Sequence, residues 1–459
     1  MDRLIIVSAD GHAGPLPEVY RSYLEPQALE HFDAFVEDHH RYVDSLYKVC
    51  HYSDETIERI DDRFAIRTGG TSGAWDVDRR LQEMDDEGIA AELLVYNHQL
   101  AGQPFFSPVA RRWNPDLRAA GVRAFHRWIV DYAAASPERF IPMAESGPCV
   151  DMDATIREIE WVAEHGFKLV ELPGLCLDPD APPLHSSYYD SLWRACADAG
   201  MCVALHAGWG LEQGRTLDYF DELIARTGGF DDFVEDKASP KGVTVAPTVE
   251  EAPPFAITVA VARAMWQLML GGVFDRHPGL KLVLVEVRAG WLPETLARLD
   301  ARFERGGTGL RRRPSEYFAE NVFVAPSFVH RAEIEMRHQI GVEKMMFARD
   351  YPHLEGTWPN THDWIRAAFR GVPLDEARMI LGENAIRCFG LDRDARAAVA
   401  ARIGPSPDEI LGEHVVRPDL IDHFHDRGGF LKQPISFPSD EFQRFLAEDI
   451  ATAVAADAR

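Results

Sequence analysis

Eight short apolar runs punctuate the chain, and longer stretches with helical periodicity separate them. The runs are Leu4–Ala9, Ala91–Tyr96, Phe140–Met143, Leu169–Leu172, Cys202–His206, Leu282–Val287, Val322–Ala325 and Met345–Ala348. Each has the length and composition of a strand buried on both faces. Between them lie amphipathic stretches such as DVDRRLQEMDDEG, MDATIREIEWVAEHG and YYDSLWRACADAG. The last two end on a glycine suited to a helix C-cap, and a strand follows soon after each. Strands that alternate with helices form parallel βα units, and eight such units close a (β/α)8 TIM barrel. A doubly wound open sheet is the alternative architecture. No GxGxxG or Walker loop follows any of the runs, which weakens the nucleotide-binding form of that alternative.

Two connections are too long to be simple loops, at about residues 13–76 and about 207–255. Insertions at the C-terminal ends of barrel strands usually build pockets or lids. The barrel, with these insertions, is expected over residues 1–395, and a helical C-terminal extension over 396–459. That extension is expected to pack on the barrel or on a second subunit. The run Phe255–Phe274 approaches the length of a membrane span, but Arg263 interrupts it and DRHPGL follows at once. It therefore reads as a buried helix. A formal net charge of -26 argues against nucleic acid or an anionic membrane surface as a partner. The six cysteines are scattered without a CxxC pair, and the apolar run near the N-terminus is too short for a signal segment. Both features fit a cytoplasmic protein with reduced thiols.

Polar residues stand where the apolar runs end. Asp10 and His12 follow the first run as Asp-Gly-His, and residues two apart on an extended chain project to the same side. His206 ends the fifth run and Asp350 follows the eighth. In a barrel these ends share one mouth, so two carboxylates and two imidazoles can converge on one metal ion. Each residue alone also suits a structural role: a turn aspartate, a core histidine, a helix cap. Their coincidence at three strand ends favours the metal.

Glu171 and Glu286 lie inside apolar strands, where a carboxylate is costly unless it is paired or binds a metal. Glu171 could bridge two ions or face a helix. Glu286 could meet a metal, the substrate, or Arg288 in a salt bridge. His353, three residues past Asp350, is placed to orient a ligand. His39 and His40 lie in the first insertion, and a lid could carry one of them to the site. His98 and His330 follow the second and seventh runs, where they could line the pocket or sit in the core or at the rim, and Trp209 and Trp291 are expected as pocket walls.

VSADGHAG, GFKLVELPG, VALHAGWG, GVFDRHPGLKLVLVEVRAGWLPETLARLD, FARDYPHLEGTWPNT and ILGENAIRCFGL together resemble the amidohydrolase-related (amidohydrolase 2) family. That group also holds the aminocarboxymuconate-semialdehyde decarboxylase-like enzymes. The resemblance covers roughly residues 1–395. It implies a (β/α)8 barrel with a divalent metal at the strand C-termini, bound by Asp10 and His12 in place of the usual HxH, then by His206 and Asp350. Two departures matter. Decarboxylases of the family carry a histidine after strand six as acid/base, and this chain has Glu286 there. The carbamylated strand-four lysine of binuclear hydrolases has no clear match, although Glu171 could bridge in its stead. A site with Asp10 in place of histidine suits manganese or iron as well as zinc, as one ion or two.

Three chemistries follow. The first is hydrolysis of a small organic carboxylate, amide or ester by a metal-activated water, with Asp350 taking its proton and Glu286 or His353 serving the leaving group. The second is monooxygenation by two irons, or iron and manganese, held by Asp10, His12, Glu171, His206, Glu286 and Asp350. The third is metal-dependent decarboxylation. The expectation taken forward is a metal-dependent hydrolase acting on a small molecule as a homo-oligomer, a dimer.

Overall fold

Seven of the eight apolar runs form strands of one parallel sheet, and they stand side by side in sequence order. They are β1 (Ile6–Ser8), β2 (Ile89–Tyr96), β3 (Phe140–Glu145), β4 (Leu169–Glu171), β5 (Cys202–Leu205), β6 (Leu282–Val285) and β7 (Val322–Ala325). The two-residue strand His12–Ala13 joins the sheet beside β2. The computed structural model describes residues 3–457 except 50–51, 53, 97–105, 107–110, 174–175, 178–180, 208–210, 213–252, 327, 354–355 and 428–438. Every residue of the seven strands is buried, as the continuous apolar runs require. Burying each large aliphatic side chain contributes about 1.5–3 kcal/mol, so these strands carry much of the driving force for the fold.

The eighth run, Met345–Ala348, takes its place in the ring without becoming a regular strand. Met346 N–H donates to Val324 O at 2.9 Å, and Ala9 N–H donates to Phe347 O at 2.8 Å, so the segment lies between β7 and β1 and closes the barrel. Phe347 N–H turns instead to Ile380 O at 2.8 Å, in the π-helical turn Met379–Glu383. Asn384 holds the same segment, its side-chain amide donating to Val342 O and Met345 O at 2.7 Å each. A Cβ on Gly382 would run into the Ile5 carbonyl oxygen. The ILGENA stretch thus closes the barrel, with Gly382 allowing the approach and Asn384 gripping the last segment.

The helices begin and end where local chemistry predicts. Asp76 caps helix Val77–Asp86 by accepting from the N–H groups of Asp78 and Arg79, and Asp151 caps Met152–Glu164 by accepting from Ala154. Gly166 and Gly200 follow their helices with φ of +88° and +67°, the left-handed conformation that glycine adopts without strain. The described part of the first insertion contains helices Phe32–Val49 and Asp54–Ile60. It docks on the loop after the eighth segment, where Asn360 donates to Ile60 O at 2.8 Å and Tyr351 donates to Gly70 O. Most of the second insertion lies outside the described residues.

The run read as a buried rather than membrane-spanning helix forms helix Pro253–Leu270. Among the described residues no helix is long and apolar enough to cross a membrane. The Arg263 that interrupts it meets Asp449 of helix Ser439–Asp457, at 3.1 and 2.8 Å. Trp266 and Gln267 donate to the same carboxylate at 2.6 and 3.0 Å. One buried aspartate therefore fastens the C-terminal helix to the barrel. Asp449→Ala is expected to cost about 3–5 kcal/mol by stranding these donors, read as a lower urea midpoint. Asp449→Asn, which keeps the shape, should lose less.

Candidate metal centre

The C-terminal ends of β1 and β5, the residue after β6, and the segment after Ala348 bring six polar side chains into contact. His12 Nε2 lies 3.7 Å from Asp10 Oδ1 and 3.2 Å from Asp350 Oδ1. His206 Nε2 lies 3.5 Å from Asp10 Oδ1 and 3.1 Å from Glu286 Oε2. His353 Nδ1 stands 3.1 Å from Asp350 Oδ1, and its ring stacks on His12 with centroids 3.8 Å apart. Two groups result, Asp10–His12–His206–Glu286 and His12–Asp350–His353, each with its ligand atoms within 4.8 Å of one another. His12 belongs to both.

The imidazoles are oriented from behind. His12 Nδ1 faces Tyr96 O at 3.3 Å and His206 Nδ1 faces Ala207 O at 2.9 Å. With Nδ1–H donating to a carbonyl, each ring turns its Nε2 toward the carboxylates, the arrangement of a metal-ligating histidine. A divalent ion among these nitrogens and carboxylate oxygens would take the place of the proton that they otherwise share, so these residues fit such an ion. The donor set of carboxylate oxygen and imidazole nitrogen suits manganese, iron or zinc.

The electrostatics carry the same crowding. Burial raises the Glu286 carboxyl well above its usual range; Asp350 and Asp10 add to the rise and the His206 charge opposes it. Burial works against charge on His206, yet Glu286, Asp10 and the Ala207 carbonyl push that ring up to about 10. Glu171 is buried beside them, and burial pushes it up to about 8 against the pull of His206. Glu171 joins neither ligand group among the described residues.

Other expectations resolve as follows. Arg288 does not meet Glu286; it approaches Glu333 Oε1 at 3.2 Å, while Glu286 turns to His206. His39 is buried on helix Phe32–Val49 with its ring 6.2 Å from Phe35, His40 is exposed, and neither belongs to the cluster. His330 packs between Phe328 and Trp364, at 4.8 and 4.9 Å. Trp291 is buried at the start of helix Leu292–Glu304. His98 and Trp209 lie outside the described residues.

The sequence reading passed over the support beneath the cluster. Glu92, in β2, accepts from Arg80 Nε at 2.8 Å and from Arg349 Nε and Nη2 at 2.6 and 2.9 Å, all fully buried. Burial alone would raise the Glu92 carboxyl, but the Arg349 and Arg80 charges hold it below the usual range. Arg349 also donates to Glu87 at 2.8 Å, and Arg80 Nη1 donates to His12 O at 2.7 Å. A glutamate inside the apolar run AELLVY was the available signal, the same one that singled out Glu171 and Glu286.

A parallel βα barrel with a buried carboxylate–imidazole cluster at the C-terminal ends of its strands has the architecture of a metal-dependent barrel enzyme. A family model described as amidohydrolase matches residues 38–391, and the chain belongs to that family. A gamma-resorcylate decarboxylase of Rhodococcus jostii (strain RHA1) is 34% identical over 149 residues, which cover 31% of this chain and 43% of that enzyme. The chain thus spans less than half the length of that relative. A gamma-resorcylate decarboxylase of Polaromonas sp. (strain JS666) is 26% identical over 330 residues, 69% of this chain and 88% of that enzyme. The fold matches the crystal structure of a dihydroxybenzoic acid decarboxylase from Polaromonas sp. JS666 with bound manganese and the inhibitor 2-nitroresorcinol. That match has a TM-score of 0.55 and 18% identity, covering 85% of this chain and 98% of that one.

Gly11 separates Asp10 from His12, and a Cβ there would lie 2.9 Å from Arg80 Nη2 and 3.0 Å from Glu92 Oε1. Gly11→Ala is therefore expected to cost about 1–3 kcal/mol of stability. It should also weaken manganese binding in a calorimetric titration, although no ligand is replaced.

Proposed function

We propose that this chain is a metal-dependent decarboxylase of a hydroxylated aromatic carboxylate. The observation that carries the reading is the alignment of 69% of the chain with a decarboxylase of that class, together with an acid–imidazole pair at the cluster. Asp10, His12, His206 and Glu286 would hold the metal. A divalent ion there would supply a fixed positive charge that neutralises and orients the substrate's carboxylate.

The chain's own residues supply the proton. Decarboxylation breaks the bond between the ring carbon and the carboxyl carbon, leaves the electron pair on the ring, and requires one proton at that carbon. Asp350 is the donor: its Oδ1 touches both His12 Nε2 and His353 Nδ1, so a proton lost to the ring is replaced through His353. Carbon dioxide leaves, and no oxidant or water is consumed.

The lack of a histidine after strand six, which counts against decarboxylation in the sequence, is answered by position. An imidazole reaches the cluster from the eighth segment as His353, and Glu286 joins the metal group instead. Hydrolysis, the first expectation from sequence, would use the same ligands, but the aligned relatives named above are decarboxylases. The dinuclear arrangement would need Glu171 as a bridge, and Glu171 stands outside both described groups.

Manganese-loaded protein is expected to release carbon dioxide from gamma-resorcylate and to place one deuterium on the vacated ring carbon in D2O. Asp350→Asn should lower kcat by about 10²–10⁴-fold, and His353→Ala by about 10–100-fold. Hydrolysis of an ester or amide panel with no carbon dioxide from any hydroxybenzoate would reject the reading.

A further inference from the structure

The cysteines are scattered in sequence, yet the fold brings two of them together. Cys202 opens β5, and Cys388 lies on helix Asn384–Phe389, 186 residues further on. Their sulfur atoms stand 3.8 Å apart, and Cys202 Sγ also lies 3.4 Å from the Cys388 carbonyl oxygen. Both residues are 1% exposed. The pair sits at the floor of the barrel. His206 lies past the other end of the same strand, about 13 Å away along an extended chain, and neither thiol belongs to the metal groups.

Lysines gather around the two sulfurs. Cys202 N–H donates to Lys168 O at 2.9 Å and Val203 N–H donates to Lys281 O at 2.8 Å, which sets both lysines beside the start of β5. Lys281 Nζ donates to Cys388 O at 2.9 Å. A Cys388 S–H that donates to the Cys202 sulfur favours a thiolate there. The Lys281 and Lys168 charges act the same way against burial, so the Cys202 thiol is held below its usual range. Burial instead pushes the Cys149 and Cys196 thiols up to about 12. One buried pair is thus set apart from the other buried thiols by a contact between sulfurs and by the charge around it.

We propose that Cys202 and Cys388 are a peroxide oxidation site whose disulfide locks helix Asn384–Phe389 to β5. The Cys202 thiolate attacks hydrogen peroxide, the O–O bond breaks, and a sulfenic acid forms as hydroxide leaves and takes up the proton that Cys202 gave up. Cys388 then attacks the Cys202 sulfur. The S–S bond forms, the S–O bond breaks, and water departs with the Cys388 proton. Two thiols are oxidised, one peroxide is reduced, and two waters result. Asn384, at the start of the same helix, grips the Val342 and Met345 carbonyls at the eighth segment. The crosslink therefore ties the part of the chain that closes the barrel to the strand that leads to His206. A bridge across so long a loop strongly restricts the unfolded chain.

The test reads no turnover and so stands apart from the reaction proposed above. Full-length protein kept reduced during purification is exposed to hydrogen peroxide, then unfolded, alkylated and mapped by mass spectrometry. A peptide joined through Cys202 and Cys388 is expected, with Cys149 and Cys196 still alkylated. The thermal midpoint of the oxidised protein should rise by about 3–8 °C and return when dithiothreitol is added. Cys388→Ser should show neither the joined peptide nor the rise. The proposal is overturned if peroxide leaves both thiols alkylatable in the unmodified protein, or joins either of them to a different cysteine, results that need no variant to fold. It is overturned equally if the joined peptide forms and the midpoint does not rise.

Discussion

One carboxylate sets the position of the candidate metal centre. Glu92 sits on the second strand with two guanidinium groups closed around it, and each guanidinium reaches a different part of the chain. Arg349 immediately precedes Asp350, so the bond to Glu92 fixes where the eighth segment delivers its acid. Arg80 comes from the helix before β2 and holds the His12 carbonyl, which fixes the Asp-Gly-His turn from below. The Tyr351 ring lies under both, 4.4 Å from Arg80 and 4.7 Å from Arg349. Buried ion pairs contribute little net stability relative to apolar packing. What this one contributes is placement, because three directed hydrogen bonds on one carboxylate tolerate less sliding than a cluster of aliphatic side chains.

Most of the architecture was legible because a parallel barrel writes itself as short continuous apolar runs. All eight runs lie in the ring, and the two glycines read as helix caps have the left-handed backbone that such caps use. The irregularity of the eighth segment was not legible, since its partner is the π-helical turn at Met379–Glu383 and such long-range pairing leaves no local pattern. Within the site, strand-end placement put Asp10, His12, His206 and Asp350 at one mouth, where their side chains lie close together with Glu286, while Glu171 joins neither group among the described residues. Partner choice among charges was harder to read. Arg288 is two residues from Glu286 in sequence, yet it pairs with Glu333 on the next βα unit, and Glu92 hid among apolar neighbours whose pattern alone said strand.

Two of the site carboxylates are held by strained backbone. Glu286 and Asp350 have φ of +56° and +53°, a region that non-glycine residues adopt at a cost of about 1–3 kcal/mol. In both cases the neighbouring ladder holds the conformation: Glu286 N–H donates to Ala325 O at 2.8 Å, and Asp350 N–H donates to Asp10 O at 3.3 Å. The kink ends the strand and swings its acid across the mouth toward a histidine from another strand. This explains why β6 stops at Val285 although the apolar run continues to Val287. The strain and the site have one cause, since an extended backbone would keep these carboxylates in strand register and away from the rings they contact.

The exchange of a neutral or cationic histidine for Glu286 after strand six alters the charge that a substrate meets. Asp10 and Glu286 together balance the charge of a divalent ion, so a metal bound there offers little net attraction to an anion. An aromatic acid must nevertheless enter if the enzyme decarboxylates one. The buried arginines beneath the site are consumed by Glu92 and Glu87. Arg288 lies on the same βα connection as Glu286, but Glu333 balances its charge at 3.2 Å. Direct ligation to the ion, and not long-range attraction, is therefore what would have to hold an anionic substrate in this mouth.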